Sequence, residues 1–240
     1  MLLAAHLLAV FLVVVGPIWD YFETRPLKAH PSPQRRLRYY RITIIWLWVA
    51  TFVACWVNGL GDLTTLRGLG IRAEWLQQRP WAWWLLSSLV VLFVLVQMVL
   101  PVLQVSIKYR NREFLEPRHL QPLRFFLPAS SLERRWFAAL CVTAGFCEEL
   151  LFRGFLLRYL HTSPWHFGLA WASLLAALVF GSHHFYQGVK GFVSTSIGGL
   201  IFTLILLLTG SLWAGIAFHA ATDLSLLLYW RPKPASDSTA

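Results

Sequence analysis

The sequence predicts an all-α fold, a polytopic membrane bundle of about seven transmembrane helices. Three observations lead there. Hydrophobic residues make up 57% of the 240-residue chain and charged residues only 13%, roughly half the share usual in a soluble domain. The apolar residues fall in runs long enough to cross a bilayer, at ~20 residues per span. Lys and Arg collect between the runs. The formal charge of +10 would point a soluble protein toward nucleic acid; here it reads as topology and lipid contact, and nucleic acid is not an expected partner.

The expected spans follow in order at about 2–19, 41–60, 81–106, 132–160, 164–183, 190–208 and 211–230. The first, "MLLAAHLLAVFLVVVGPIW", has no basic n-region and no cleavage site, so it is expected to be retained. His6 within it reads as a packing residue. The segments "ETRPLKAHPSPQRRLRYYR" and "KYRNREFLEPRHLQPLR" are strongly basic and are expected to be cytoplasmic loops. The less basic 61–80 then lies outside, with Trp81, Trp83 and Trp84 in an interfacial belt. The protein is expected in a bacterial cytoplasmic membrane, N-terminus out and C-terminus in. Residues 1–130 are expected to form N-terminal spans and basic loops, 131–230 a helical core, and 231–240 a disordered tail. Cys55, Cys141 and Cys147 show no CxxC spacing and predict no disulfide or zinc knuckle.

The fourth span is bounded by a capping box at Ser130 and Glu133, which starts it near Ser131. At 1.5 Å per residue it runs about 45 Å, longer than the hydrocarbon core, so it tilts or projects. Ser163 with Pro164 predicts the start of the next helix. Ser194/Gly198 and Thr195/Gly199 set small residues four apart, read as a packing feature rather than a ligand site.

The fourth span also carries "GFCEELLFRGF", with three charges where each costs about 2.5–3.5 kcal/mol on insertion scales. Glu149 and Arg153 are four apart, share a helical face and can pair. Glu148 lies about 100° round the helix with no partner on its own element. The spacing separates a structural acid from a candidate general base. "VFGSHHF" adds His183 and His184, and "FHAATDL" sets His219 and Asp223 four apart. Polar groups in lipid turn inward, where these would meet as a hydrolytic set or as metal ligands.

These elements resemble the CAAX protease and bacteriocin-processing family, which includes the type II CAAX prenyl endopeptidases. The family's EExxxR is matched by Glu148, Glu149 and Arg153, its FxxxH by Phe180 and His184, and its HxxxN/D by His219 and Asp223. The resemblance covers roughly Ser131 to Leu228. It implies an intramembrane endopeptidase acting on a membrane-associated protein or peptide. Glu148 would activate water, His184 assist, and His219 with Asp223 stabilise the oxyanion; Glu149, Arg153 and Phe180 would support the site. An ionised Asp cannot donate to an oxyanion as Asn can, so Asp223 must be protonated, orient His219 or bind metal. The Phe spacing selects His184 over His183.

No cofactor is required in the favoured reading. The alternative is Zn²⁺ held by Glu148, His184, His219 and Asp223. A non-catalytic immunity or scaffolding protein of the same fold is the main alternative function. "NGLGD" contains a GxGD string, but the chain has no PAL motif and Asp62 sits among turn-forming glycines. HExxH and GxSxG are absent, which argues against zincins and α/β-hydrolases.

Overall fold

The computed structural model describes residues 1–72, 78–109, 118–162 and 164–230. Eight helices, and no strand, form among them. α1 runs continuously over Leu2–Ala29 and is π-helical at Phe11–Val15. α2 is Pro33–Asn58, α3 the short Leu60–Thr64, and α4 Pro80–Tyr109. α5 opens as Ser131–Glu148, turns π-helical over Glu149–Leu156 and closes as Leu157–His161. α6 is Leu169–Ser182, α7 Gly188–Thr209 and α8 Leu212–Tyr229.

Sequence patterning explains why α5 is the axis of the bundle. From Leu150 to Leu157 every residue is buried, including Arg153 and Gly154. A helix apolar all round has no solvent face and must be surrounded. α2 packs along one side of it and α8 along another. At Gly145 a Cβ would sit 2.6 Å from the Ala220 backbone nitrogen. The absence of a side chain there lets α8 approach α5 one turn before Glu148. α6 and α7, joined by a short 3₁₀ turn at Phe185–Gln187, pack against each other and close the site.

The start of α5 is fixed as its sequence dictates. Ser130 and Glu133 form a reciprocal capping box, and Glu133 also pairs with Arg36 of α2 at 2.6 Å. Tyr40, Phe126 and Phe137 pack edge to face around that junction. At the same end of the bundle, Arg134 donates to the carbonyls of Leu227 and Trp230, satisfying acceptors left open at the end of α8.

Several sequence expectations need correction. The first basic "loop" is mostly helix: α1 extends to Ala29, and α2 starts at Pro33. Ser32 caps α2 through its hydroxyl, with Pro33 at the first position, and these local signals outweigh charge density. The helix expected at Pro164 opens at Leu169, behind Gly168; Ser163 itself lies outside the described residues. Asp62 belongs to the short α3 rather than to a Gly-rich loop. It faces Arg158 at 3.7 Å. The expected tail 231–240 and much of the second basic loop also lie outside the described residues.

This is an integral membrane protein by its apolar helices, but seven independent spans are not established. Leu2–Ala29, Pro33–Asn58, Pro80–Gln97 and Phe185–Thr209 are long and apolar enough to cross a membrane. Leu169–Ser182 and Leu212–Leu228 are apolar but shorter, and α5 is long but charged.

Candidate active site

The π-helical stretch of α5 begins at Glu149, within the EExxxR motif. Such stretches widen the helix by one residue and recur at functional sites. Glu149 is fully buried, and its Oε1 lies 3.1 Å from Arg153 Nη1. The expected structural pair is therefore present. Arg153 is also held by rings: its guanidinium carbon lies 4.2 Å from the Phe180 ring centroid and 5.1 Å from that of Phe202. These cation–π contacts accompany the ion pair in holding the guanidinium.

Glu149 does more than pair with Arg153. The same Oε1 lies 2.9 Å from His219 Nδ1. Glu149 thus joins the first motif to the third and fixes the rotamer of His219. The other ring nitrogen, Nε2, points between Glu148 Oε2 at 3.7 Å and Asp223 Oδ2 at 3.8 Å. Phe202 stacks on the imidazole with centroids 4.9 Å apart. Glu148 makes no hydrogen bond among the described residues, and its side chain retains 17% exposure against none for Glu149. The two neighbouring acids are placed differently, one enclosed and bonded, the other facing open space.

That space is a cavity of about 510 Å³. Glu148, His183, His184, His219 and Asp223 all line it, with Phe180 and Phe202 as apolar wall. His184 lies 3.0 Å from the Phe180 carbonyl through Nδ1. A carbonyl only accepts, so Nδ1 carries the proton and Nε2 carries a lone pair. The FxxxH spacing is thereby explained: four residues earlier, in the last turn of α6, Phe180 supplies the acceptor that sets the tautomer of His184.

His183 is placed differently. Its Nδ1 lies 2.6 Å from Asp20 Oδ2 and its Nε2 2.8 Å from the Leu12 carbonyl. Both nitrogens are committed to α1. Asp20 lies one residue beyond the expected end of the first span and so is not among the expected site residues. The signal was present: an acid within a helical turn of Pro17, at the edge of an apolar run, marks a buried partner when the helix continues.

The small-residue stripe of α7 also divides. Gly199 packs as expected, since a Cβ there would meet Ala177 at 3.1 Å and Arg153 Nη2 at 3.2 Å. Ser194, Thr195 and Gly198 instead line the cavity, and nothing lies within 4 Å of a Cβ on Gly198. The expectation of packing alone fails for these three. Among the described residues, no group of three or more His, Cys, Asp or Glu side chains is placed to hold a metal ion. Glu148, His184, His219 and Asp223 share the cavity without forming a ligand set.

Residues 130–225 match the family model described as type II CAAX prenyl endopeptidase Rce1-like. All three motifs fall inside the matched segment, and Asp20 falls outside it. Among curated proteins and among solved structures, nothing matches the chain.

Proposed function

We propose, from the match of residues 130–225 to the type II CAAX prenyl endopeptidase Rce1-like model, that this chain is an intramembrane endopeptidase. It hydrolyses a peptide bond of a membrane-associated protein or peptide through a water activated by Glu148. The carrying observation is the division of labour between the adjacent acids. Glu149 is enclosed by Arg153 and His219, while Glu148 faces the cavity without a hydrogen-bond partner.

The chemistry then follows from the donors and acceptors. Glu148 takes a proton from water as its oxygen attacks the scissile carbonyl carbon. The Nε2 lone pair of His184 accepts the water's other hydrogen and fixes its direction. The carbonyl π electrons move to oxygen, which His219 faces through Nε2. That role requires an Nε2–H on His219, whose Nδ1–H is already directed at Glu149. Collapse of the tetrahedral intermediate breaks the C–N bond, and Glu148 returns its proton to the leaving amine. Arg153, Phe180 and Phe202 touch no reacting atom; they hold Glu149 and His219 in place.

Membrane residence of the active site in the bacterial cytoplasmic membrane, with N-terminus out, completes the proposal. A prenylated CAAX tail is one candidate substrate class and a bacteriocin-related peptide another. The test compares termini of membrane proteins in cells carrying wild type or Glu148→Gln. New termini that appear only with wild type support the proposal. Identical termini, with a cellular phenotype that survives the substitution, would move the assignment to a non-catalytic immunity or scaffolding role.

A further inference from the structure

α1 is continuous through Gly16 and Pro17 because it turns π-helical just before them. In that stretch the Gly16 N–H bonds to the Phe11 carbonyl, five residues back. The same register would direct residue 17 to the Leu12 carbonyl. Residue 17 is proline and has no N–H. The Leu12 carbonyl, on a fully buried residue, is left without a helical partner. A buried acceptor without a partner is costly, more so in lipid.

His183 supplies the missing donor, with Nε2 2.8 Å from that carbonyl. Three residues beyond Pro17, Asp20 meets the other ring nitrogen at 2.6 Å. The fit is steric as well. A Cβ on Gly16 would collide with His183 Cε1, so only glycine admits the ring at that depth. Trp46 of α2 stacks over the imidazole at 6.3 Å between centroids, and Phe152 of α5 meets it edge-on at 5.2 Å. Three helices therefore grip one side chain.

We infer that Asp20 and the Leu12 carbonyl of α1 form a two-point socket for His183, and that this socket positions His184 for the reaction. His183 is the first residue beyond α6, which ends at Ser182. His184 follows directly, in a turn held internally by its bond to the Phe180 carbonyl. Without the socket, the end of α6 is free to shift along the cavity wall. With both ring nitrogens engaged, His183 has no free nitrogen to move a proton, so it is a positioning residue rather than a catalytic one. α1, outside the family-matched segment, is thereby part of the working site.

The inference rests on the endopeptidase reading for its kinetic readout only. The substitution that decides it is Asp20→Asn. The Asp20 carboxylate and the Leu12 carbonyl both accept, so both ring nitrogens of His183 donate; opposite Asn the ring can give up the Nδ1 proton and accept there from the amide N–H, with Nε2–H still donated to Leu12. Asn therefore keeps both bonds and removes the charge, whereas Asp20→Ala removes one bond. The assay is cleavage of a quenched, farnesylated CAAX-type peptide by purified protein, with Glu148→Gln as baseline. Asp20→Asn is expected within about threefold of wild-type kcat. Asp20→Ala is expected to lose about 10- to 100-fold in kcat, as misplacement by about an ångström does, with KM little changed. Equal loss in both variants overturns the inference, because the carboxylate would then act in the chemistry; equal retention overturns it as well. If Asp20→Ala does not fold, Asp20→Glu replaces it, shifting the carboxylate by one methylene. If neither folds, Asp20→Asn decides: turnover within about threefold of wild type, beside two variants that break the socket and fail to fold, supports the inference, and a loss of about tenfold or more overturns it.

Ring ¹⁵N NMR gives an arm independent of turnover. The His184 signals, assigned by their loss in His184→Gln, are expected to move in Asp20→Ala and to stay in Asp20→Asn. No movement in either overturns the socket. A wild type that cleaves this peptide no better than Glu148→Gln overturns the prenylated CAAX tail as substrate class instead, and the NMR arm still decides positioning.

Discussion

Glu149 Oε1 and His219 Nδ1 lie 2.9 Å apart, and this bond joins the first motif on α5 to the last on α8. The same oxygen meets Arg153 at 3.1 Å, so one buried carboxylate anchors two cationic or donor groups. The neighbouring Glu148 is left facing the cavity. Adjacent positions on a helix point about 100° apart, and here that turn separates an anchor from the proposed general base.

Replacing Glu148 with Gln is therefore expected to stop catalysis without unfolding the protein. Gln has nearly the same shape, and Glu148 makes no hydrogen bond whose loss would be felt. Turnover of the quenched peptide should fall by about 10²- to 10⁴-fold, with Tm in detergent unchanged. Near-wild-type turnover would remove Glu148 from the mechanism.

Replacing Glu149 with Gln should act mainly on stability. Arg153 and His219 would both lose their carboxylate in a fully buried setting. Breaking a buried pair by removing one partner costs about 3–5 kcal/mol, which should appear as a clear fall in Tm and in the yield of folded protein. A Glu149→Gln protein as stable as wild type would contradict the anchoring role.

Much of this arrangement was legible in the sequence, for identifiable reasons. The i, i+4 spacing of Glu149 and Arg153 led directly to their pair, and Ser130 with Glu133 to the start of α5. His184 and His219 were brought to one cavity by the rule that polar groups in lipid turn inward. The Glu149–His219 bond was not legible, because periodicity within one helix says nothing about which residue of another helix faces it. Asp20 is not legible as a site residue because the charge density after residue 19 predicts a helix end, whereas the helix continues to Ala29. The π-helical stretches leave no periodic signature, although Pro17 inside a continuous helix gives a local reason for the first. The cavity face of α7 has no distinct signal in the sequence, because small residues suit both close packing and open space.

Topology can be tested at two exposed positions. The basic stretch around the α1–α2 junction is expected inside, and the segment after α3 outside. Gln34→Cys and Thr65→Cys, each in a background lacking Cys55, Cys141 and Cys147, should react with an impermeant maleimide from opposite sides of the membrane. Gln34 is preferred to Ser32, whose hydroxyl accepts the Arg35 N–H and caps α2. Labelling of both from one side would break the proposed orientation.

The sharpest test of the chemistry is Asp223→Asn, since Asp stands where the family's third motif allows Asn or Asp. Asp223 Oδ2 sits 3.8 Å from His219 Nε2, too far for a hydrogen bond but close enough to share the space an oxyanion would occupy. Glu149 already orients His219 through Nδ1, so Asp223 is not needed for that task. An ionised carboxylate beside a developing oxyanion repels it, whereas Asn keeps the shape and adds an N–H donor. In the metal-free mechanism, Asp223→Asn should retain substantial turnover or exceed wild type. A missing oxyanion donor typically costs about 10²- to 10³-fold, which bounds the gain available. If the site instead worked through zinc, Asn would be the poorer ligand; turnover would then drop steeply and return in part with added Zn²⁺. Peptide cleavage, repeated after chelation and paired with elemental analysis of the purified protein, separates the two. Stoichiometric zinc in active wild type, lost together with activity in Asp223→Asn, would replace the Glu148–water mechanism with a metal-assisted one.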